Sequence, residues 1–393
     1  MLALPIALVA LATQPELALR GHREAPPGAV SAVGVDGVSA GSDAPVLVGW
    51  DIVAELPEEW REPGREWAEL ADALWRARVR LERGDFALAE RTLEPWLPKV
   101  RGRRGPTAML VGDGLLRCRL RRGARTSAID AWLTWLAAGD GSPALHLDSG
   151  RPVASRSEDP AVVPDAGLGL VPELPPMWLD TPAVRALGEA ASPETSASWG
   201  VLAQAYKASA ATEGGSTPDL APLLAAVTGP ATADLRSQGV RLVAAVVLSR
   251  AGDARQRDQA RGVLLSLSAL DERPWVEAWR RAAIGRSLLR EPERERRLEG
   301  VLEMLHVPAR LPEASPYLTG LVLAESAVAM RELGDAAAGE RLYQEFAALG
   351  DTHPAWQWAP IRGWGRAAPA RPAASNGTTD PAATPTEPGV PPP

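Results

Sequence analysis

Hydrophobic positions along this chain follow two different periods. Up to about residue 56 they come in short alternating runs. Glu16 to Arg20 alternates, Gly28 to Val35 leads into Asp36-Gly37, Val38 to Gly41 continues past it, and Ser42-Asp43 marks another turn. Pro45 to Val53 then places Val46, Val48, Trp50 and Ile52 on one face. A two-residue period predicts strands, and Asp-Gly between two such runs predicts a hairpin turn. The reading is a small β-meander over 13–57. So few residues bury little surface alone, so the meander is expected to lean on the helices C-terminal to it or on a partner.

After Pro63-Gly64 the period changes. Trp67, Leu70, Leu74, Ala77 and Leu81 step by three and four, which defines one face of a helix. Gly84 breaks that helix, and Phe86, Ala89, Leu93 and Trp96 begin another, limited by Pro95. The pattern then recurs 39 residues on: Gly84 to Gly123, Ala89 to Ala128, Leu93 to Trp132, Trp96 to Trp135. A fixed period of this size marks stacked helical hairpins. Two helix pairs are therefore expected over 64–138.

Residues 139–178 break the pattern. Gly139-Asp140-Gly141-Ser142-Pro143, a turn at Asp148-Ser149-Gly150 and prolines at 160, 164, 172, 175 and 176 predict a loop or linker excursion. Within it, Leu170 to Leu179, with Met177 and Trp178, is apolar enough to pack back onto helices. Helical signals resume at Thr181-Pro182, Ser192-Pro193-Glu194 and Thr217-Pro218-Asp219, each a hydroxyl N-cap followed by proline. Helices are expected at about 181–190, 193–211, 217–228, 231–250, 255–270, 273–290, 293–305, 315–333 and 335–349, within a helical repeat domain over 179–366. The nearly all-apolar run Val240 to Leu248 predicts a helix buried on most sides. Residues 367–393 hold eight prolines and no aromatic, the composition of a disordered tail. The fold class expected is mostly α: an α-solenoid of antiparallel helix pairs with a small N-terminal β-meander.

Two resemblances rest on particular residues. Gly84-Asp85-Phe86, small Ala89 and large Leu93 resemble the turn and second helix of a tetratricopeptide repeat. Gly334-Asp335-Ala336 with Gly339, Tyr343 and Phe346 is similar, and Gly252-Asp253 is a degenerate case. The spacing of 39 departs from that family's 34, and Gly112 and Gly114 stand where its first helix has small and aromatic residues. The resemblance implies protein or peptide binding on a concave helical surface. The N-terminal pattern, strand, Asp-Gly hairpin and strand closing on Trp50-Asp51-Ile52, resembles small Sm-like or SH3-like barrels.

Composition narrows the chemistry. Net charge is −7 and the pI about 5.4, with no global signature of a nucleic-acid binder. Two lysines stand against forty arginines, so arginine abundance alone carries little weight. Cys118 is the one cysteine, which rules out an intramolecular disulfide and a multi-cysteine metal site; a buried core role is expected. Leu2 to Ala12 is an apolar run of signal-peptide length, too short to span a bilayer, with Ala10-Leu11-Ala12 suited to cleavage before Thr13; it lacks the usual positive n-region. Residues 1–12 are thus read as a signal peptide of an exported, periplasmic or secreted protein, with a cytoplasmic protein as the alternative.

No catalytic, cofactor or metal site is expected. Gly37-Val38-Ser39-Ala40-Gly41 spells a nucleophile elbow, but that motif needs a helix after the serine, and a strand comes next here. The four histidines, His22, His146, His306 and His353, have no partner at ligand spacing, and capping or solvation is their expected role. The tryptophans fall mostly at helical core spacing; Trp356, Trp358 and Trp364 lie beyond the last expected helix and are read as capping the array. One charge feature remains: Arg61 to Arg125 holds fifteen arginines and Lys99 against nine acids, about +7 within an acidic chain. Candidate binding residues are Arg76, Arg80, Arg117 and Arg121, with Arg103 and Arg104 in the connecting loop. Arginines at alternate positions cannot all face one groove of a helix. The expected function is non-catalytic binding or scaffolding of a protein or peptide, acidic if the arginines face it. Polyanion or nucleic-acid binding through this segment is the alternative, and a hydrolase using Ser39 the third.

Overall fold

The computed structural model describes residues 17–139, 162–189, 198–230, 234–267 and 273–367, apart from positions 22, 27, 42–44 and 166. The apolar run Leu2–Ala12, the turns at Ser42-Asp43 and Asp148-Ser149-Gly150, the marker Ser192-Pro193-Glu194 and the tail from 368 onward lie outside the described residues, as do His22 and His146. The chain is mostly helical, with a small antiparallel strand region near its N-terminus.

The strands are β1 (Ala18–Leu19), β2 (Val30–Gly34), β3 (Gly37–Ala40), β4 (Val46–Val48) and β5 (Val53–Glu55). They form two sheets, β2-β3-β4 and β1-β5, both antiparallel. Gly34 pairs with Gly37, so the hairpin turn is Val35-Asp36, one residue earlier than the Asp-Gly pair suggests. The physical reason is Gly37 itself, which is a strand residue with φ +140°. A Cβ there would meet the Val48 carbonyl oxygen at 2.3 Å, so glycine sets the approach of β4 instead of making the turn. The meander leans on the helices, as its size requires. The Trp50 indole N–H donates to Gly34 O at 2.8 Å, and fully buried Asp51 accepts from Arg78 at 2.6 Å. Burial pushes the Asp51 carboxyl up, and the Arg78 guanidinium opposes that shift.

The first helices are α1 (Glu58–Gly64), α2 (Ala68–Arg83), α3 (Phe86–Leu93), α4 (Leu97–Val100), α5 (Pro106–Arg121) and α6 (Arg125–Gly139). Gly84 at φ +80° and Gly123 at φ +75° take the left-handed turns that reverse the chain after α2 and α5. Beyond the excursion come α7 (Pro182–Glu189), α8 (Ser198–Glu213), α9 (Ala221–Thr228), α10 (Leu235–Ala251), α11 (Ala254–Ser266), α12 (Pro274–Leu288), α13 (Arg294–Arg310), α14 (Pro316–Glu332), α15 (Ala336–Ala348) and α16 (Ala359–Ala367). Side-chain caps start several of them: Asp234 for α10, Asp253 with Gln256 in a capping box for α11, Ser315 for α14 and Asp335 for α15. Helix α13 runs through Pro308, past the expected end near 305. Helix α16 lies beyond the last helix that periodicity predicts; its Trp364 stacks on Tyr343 at 5.2 Å between centroids.

Sequential helices pack in pairs: α2 with α3, α5 with α6, α7 with α8, α10 with α11, α12 with α13 and α14 with α15. Helix α10 also packs on α8 and α12, and α12 on α14, so α8, α10, α12 and α14 line up side by side. Helix α10 is buried from Leu242 to Ser249, as its apolar run requires. Among the described residues no helix is long and apolar enough to cross a membrane.

Candidate functional site

The excursion read as loop or linker ends in a fully buried irregular segment. All twelve residues from Leu168 to Leu179 are buried, without helix or strand. Prolines 172, 175 and 176 remove three N–H donors, so this strap presents mainly carbonyls to its surroundings. Burying those carbonyls requires donors, and the helices supply them as side chains. Trp132 Nε1 (α6) donates to Gly169 O at 2.8 Å, and Trp279 Nε1 (α12) to Pro172 O at 3.0 Å. Tyr206 Oη (α8) donates to Leu174 O, and Ser209 Oγ (α8) to Pro176 O at 2.7 Å. Tyr317 Oη (α14) donates to Met177 O at 2.9 Å and Arg286 Nη2 (α12) to Trp178 O at 2.7 Å. Burial holds the Tyr206 and Tyr317 phenols above their ordinary pKa, so both stay protonated donors. Aromatic rings pack along the same line, Trp132 on Tyr206 at 5.1 Å and Trp178 against Tyr206 and Tyr317 at 6.2 and 6.4 Å. The facing sides of α6, α8, α12 and α14 thus form an aromatic groove that holds the main chain of an irregular, turn-containing, proline-rich segment, and that segment is the chain's own.

Charge clamps the strap at its middle and near its C-terminal end. Arg125, at the start of α6, donates to the Glu173 carboxylate at 2.8 Å. Beyond Trp178 lies a buried quartet of Glu213, Arg250, Arg286 and Glu325, from α8, α10, α12 and α14. Arg286 reaches Glu325 at 2.6 Å and Glu213 at 3.0 Å, and Arg250 reaches them at 3.2 and 2.9 Å. Burial alone would raise the Glu213 carboxyl, but Arg250 and Arg286 outweigh it and hold it at about 2. The four positions are separated by 37, 36 and 39 residues, one from each of the four helices that lie side by side. The separations are visible in the sequence; the pairing of charges is not.

The six candidate arginines do not assemble as one groove. Arg117 is 3% exposed and paired with Asp113 at 2.9 Å, which withdraws it from any open surface. Arg80 bridges α2 to α3 through Thr92 Oγ1 and Leu88 O, and Arg121 covers the Phe86 ring at 4.2 Å. Arg103 pairs with Asp36 at 3.6 Å; Arg76 and Arg104 are exposed. Other arginines of the segment are also tied up: Arg78 with Asp51, Arg119 with Glu94, and Arg122 with Glu90.

Ser39 lies within β3, hydrogen-bonded between β2 and β4, not at a strand-to-helix turn. Cys118 is buried, which pushes its thiol up to about 12. His306 lies inside α13, which continues to Arg310. Among the described residues no group of three or more His, Cys, Asp or Glu is placed to hold a metal ion.

His353 has a defined tautomer. Its Nδ1 accepts from Ala355 N at 3.1 Å, capping the short 3-10 turn Pro354–Gln357, which leaves Nε2 to donate to Tyr317 O at 2.8 Å. Its ring stacks on Tyr317 at 5.4 Å. Burial, with Arg125 nearby, depresses it to about 4. The unfolded chain binds the proton more readily, so the neutral ring favours folding above pH 6.5, and this contribution is lost as pH falls from there through about 4. The full effect is about 3 kcal/mol. Urea unfolding between pH 7 and pH 4 should show this slope, and H353Q should flatten it.

Compared with protein families, curated proteins and solved structures, the chain matches none.

Proposed function

We propose that this chain is a non-catalytic binding or scaffold protein, an α-solenoid of tetratricopeptide-like antiparallel helix pairs that engages a protein or peptide partner through its helical surface. The observation that carries the reading is the inner groove, whose side-chain donors hold an irregular, proline-rich segment by its carbonyls. Paired packing of successive helices and the recurrence of the charged quartet at 36 to 39 residues support the repeat architecture.

Because the strap fills the inner groove, a partner in trans is assigned to the outer surface. The exposed arginines of the α4–α5 loop, Arg103 and Arg104, are the residues offered there, and their charge suits an acidic partner. Affinity capture from the native organism, identified by mass spectrometry, should yield a specific partner. R103A/R104A should lower that capture several-fold at low salt and less at high salt. Capture that is unchanged at every salt concentration would exclude the basic loop as the contact.

A further inference from the structure

The α5–α6 turn, the C-terminal end of the strap and the 3-10 turn at 354–357 line a partly open cavity of about 430 Å³, within the size range of small-ligand sites. Its wall contains two arginines, Arg122 and Arg125, and no acidic residue. Each arginine is held by a carboxylate outside the wall. Arg122 uses Nε and Nη2 on the Glu90 carboxylate, and Arg125 donates from Nη2 to the Glu173 carboxylate and from Nε to the Glu173 main-chain carbonyl. These contacts fix both guanidinium groups.

Two helices of eight residues or more open onto the same space. Thr126 and Ser127 belong to the first turn of α6, Ala183 and Val184 to that of α7. First-turn amides lack intrahelical acceptors, and each helix start carries roughly half a positive charge. The wall also contains a donor without an acceptor. Thr181 is 6% exposed and accepts from Val184 N at 3.4 Å, and its hydroxyl hydrogen has no acceptor among the described residues. A buried donor without a partner costs about 1–3 kcal/mol. A concave space with two arginines, two helix starts and an unmet hydroxyl donor, and no acid in its wall, suits negative oxygen atoms.

We propose that this cavity is a binding site for an oxyanion, a carboxylate or phosphate group borne by a small ligand. The site is independent of the outer-surface partner proposed above. Isothermal titration calorimetry on the full chain, with inorganic phosphate and N-acetylglycine as probes and chloride at matched ionic strength as control, tests it. At least one probe should bind saturably, with a dissociation constant below about 1 mM. T181V removes the buried hydroxyl, and R122A removes an exposed side chain whose loss the fold tolerates. Each should weaken binding about tenfold, while R76A, on α2 and outside the cavity, should not. Binding of phosphate alone marks a phosphorylated ligand, and binding of N-acetylglycine marks a carboxylate. Failure of both probes to saturate beyond the chloride control, or equal weakening by R76A, would overturn the site.

Discussion

Replacing Arg286 by methionine is expected to cost about 3–5 kcal/mol of folding stability, because removing one partner of a buried ion cluster leaves uncompensated charge. Arg286 is 1% exposed. Its guanidinium neutralises Glu325 and Glu213 and also donates to the Trp178 carbonyl of the strap. Methionine of similar length leaves three acceptors in the interior and one arginine, Arg250, facing two carboxylates. Denaturant unfolding at pH 7 measures the loss as a shift in midpoint at unchanged slope. The double variant R286M/E325L should lose less than R286M alone, since Arg250 then faces Glu213 as a balanced pair. An equal or larger loss in the double variant would mean that the cluster's charge balance is not what holds it together.

Trp178→Ala is expected to cost about 3–5 kcal/mol, the range for removing a buried aromatic side chain from a packed core. Trp178 is 2% exposed and lies against Tyr206 of α8 and Tyr317 of α14. It belongs to the strap, so this large loss would come from a residue outside every helix. Its indole N–H has no acceptor among the described residues, so Trp178→Phe gives up packing volume but no hydrogen bond seen there, and its cost should be much smaller. Equal costs for the two variants would show that the ring's bulk is not what the groove requires. Both can be read in the same denaturant series.

Much of the helical framework was legible, because periodicity and caps are local. The expected helices near 231–250, 273–290 and 315–333 appear as α10, α12 and α14, with ends displaced by a few residues. Local chemistry misled where a residue served a distant contact. Gly37 looked like half of a turn, yet it is a strand residue that admits the Val48 carbonyl. Gly112 looked like a flaw in a repeat signature. A Cβ there would lie 2.7 Å from Trp135 N and 2.8 Å from Ala131 O, so it is the small residue that lets α5 and α6 approach. Helix α16 was hidden by its short length and by Pro360 in its first turn. The arginines show the limit most clearly. Arg78 and Arg119 are buried because Asp51 and Glu94 meet them from 27 and 25 residues away, and Arg286 meets the strap's Trp178 from 108. No spacing rule announces such pairings, so an arginine count showed charge without showing which charges were free. The strap left one sign, the apolar run Leu170 to Leu179 amid prolines, which fixed its tendency to bury but not its place between the helices.

Hydrogen–deuterium exchange over residues 167–180 tests that place most directly. If the strap is the filling of the inner groove, its amides should exchange as slowly as those of α10 and α14 and lose protection with them in a single denaturant-dependent step. Exchange of this segment at the rate of an open chain, while α10 and α14 stay protected, would contradict it.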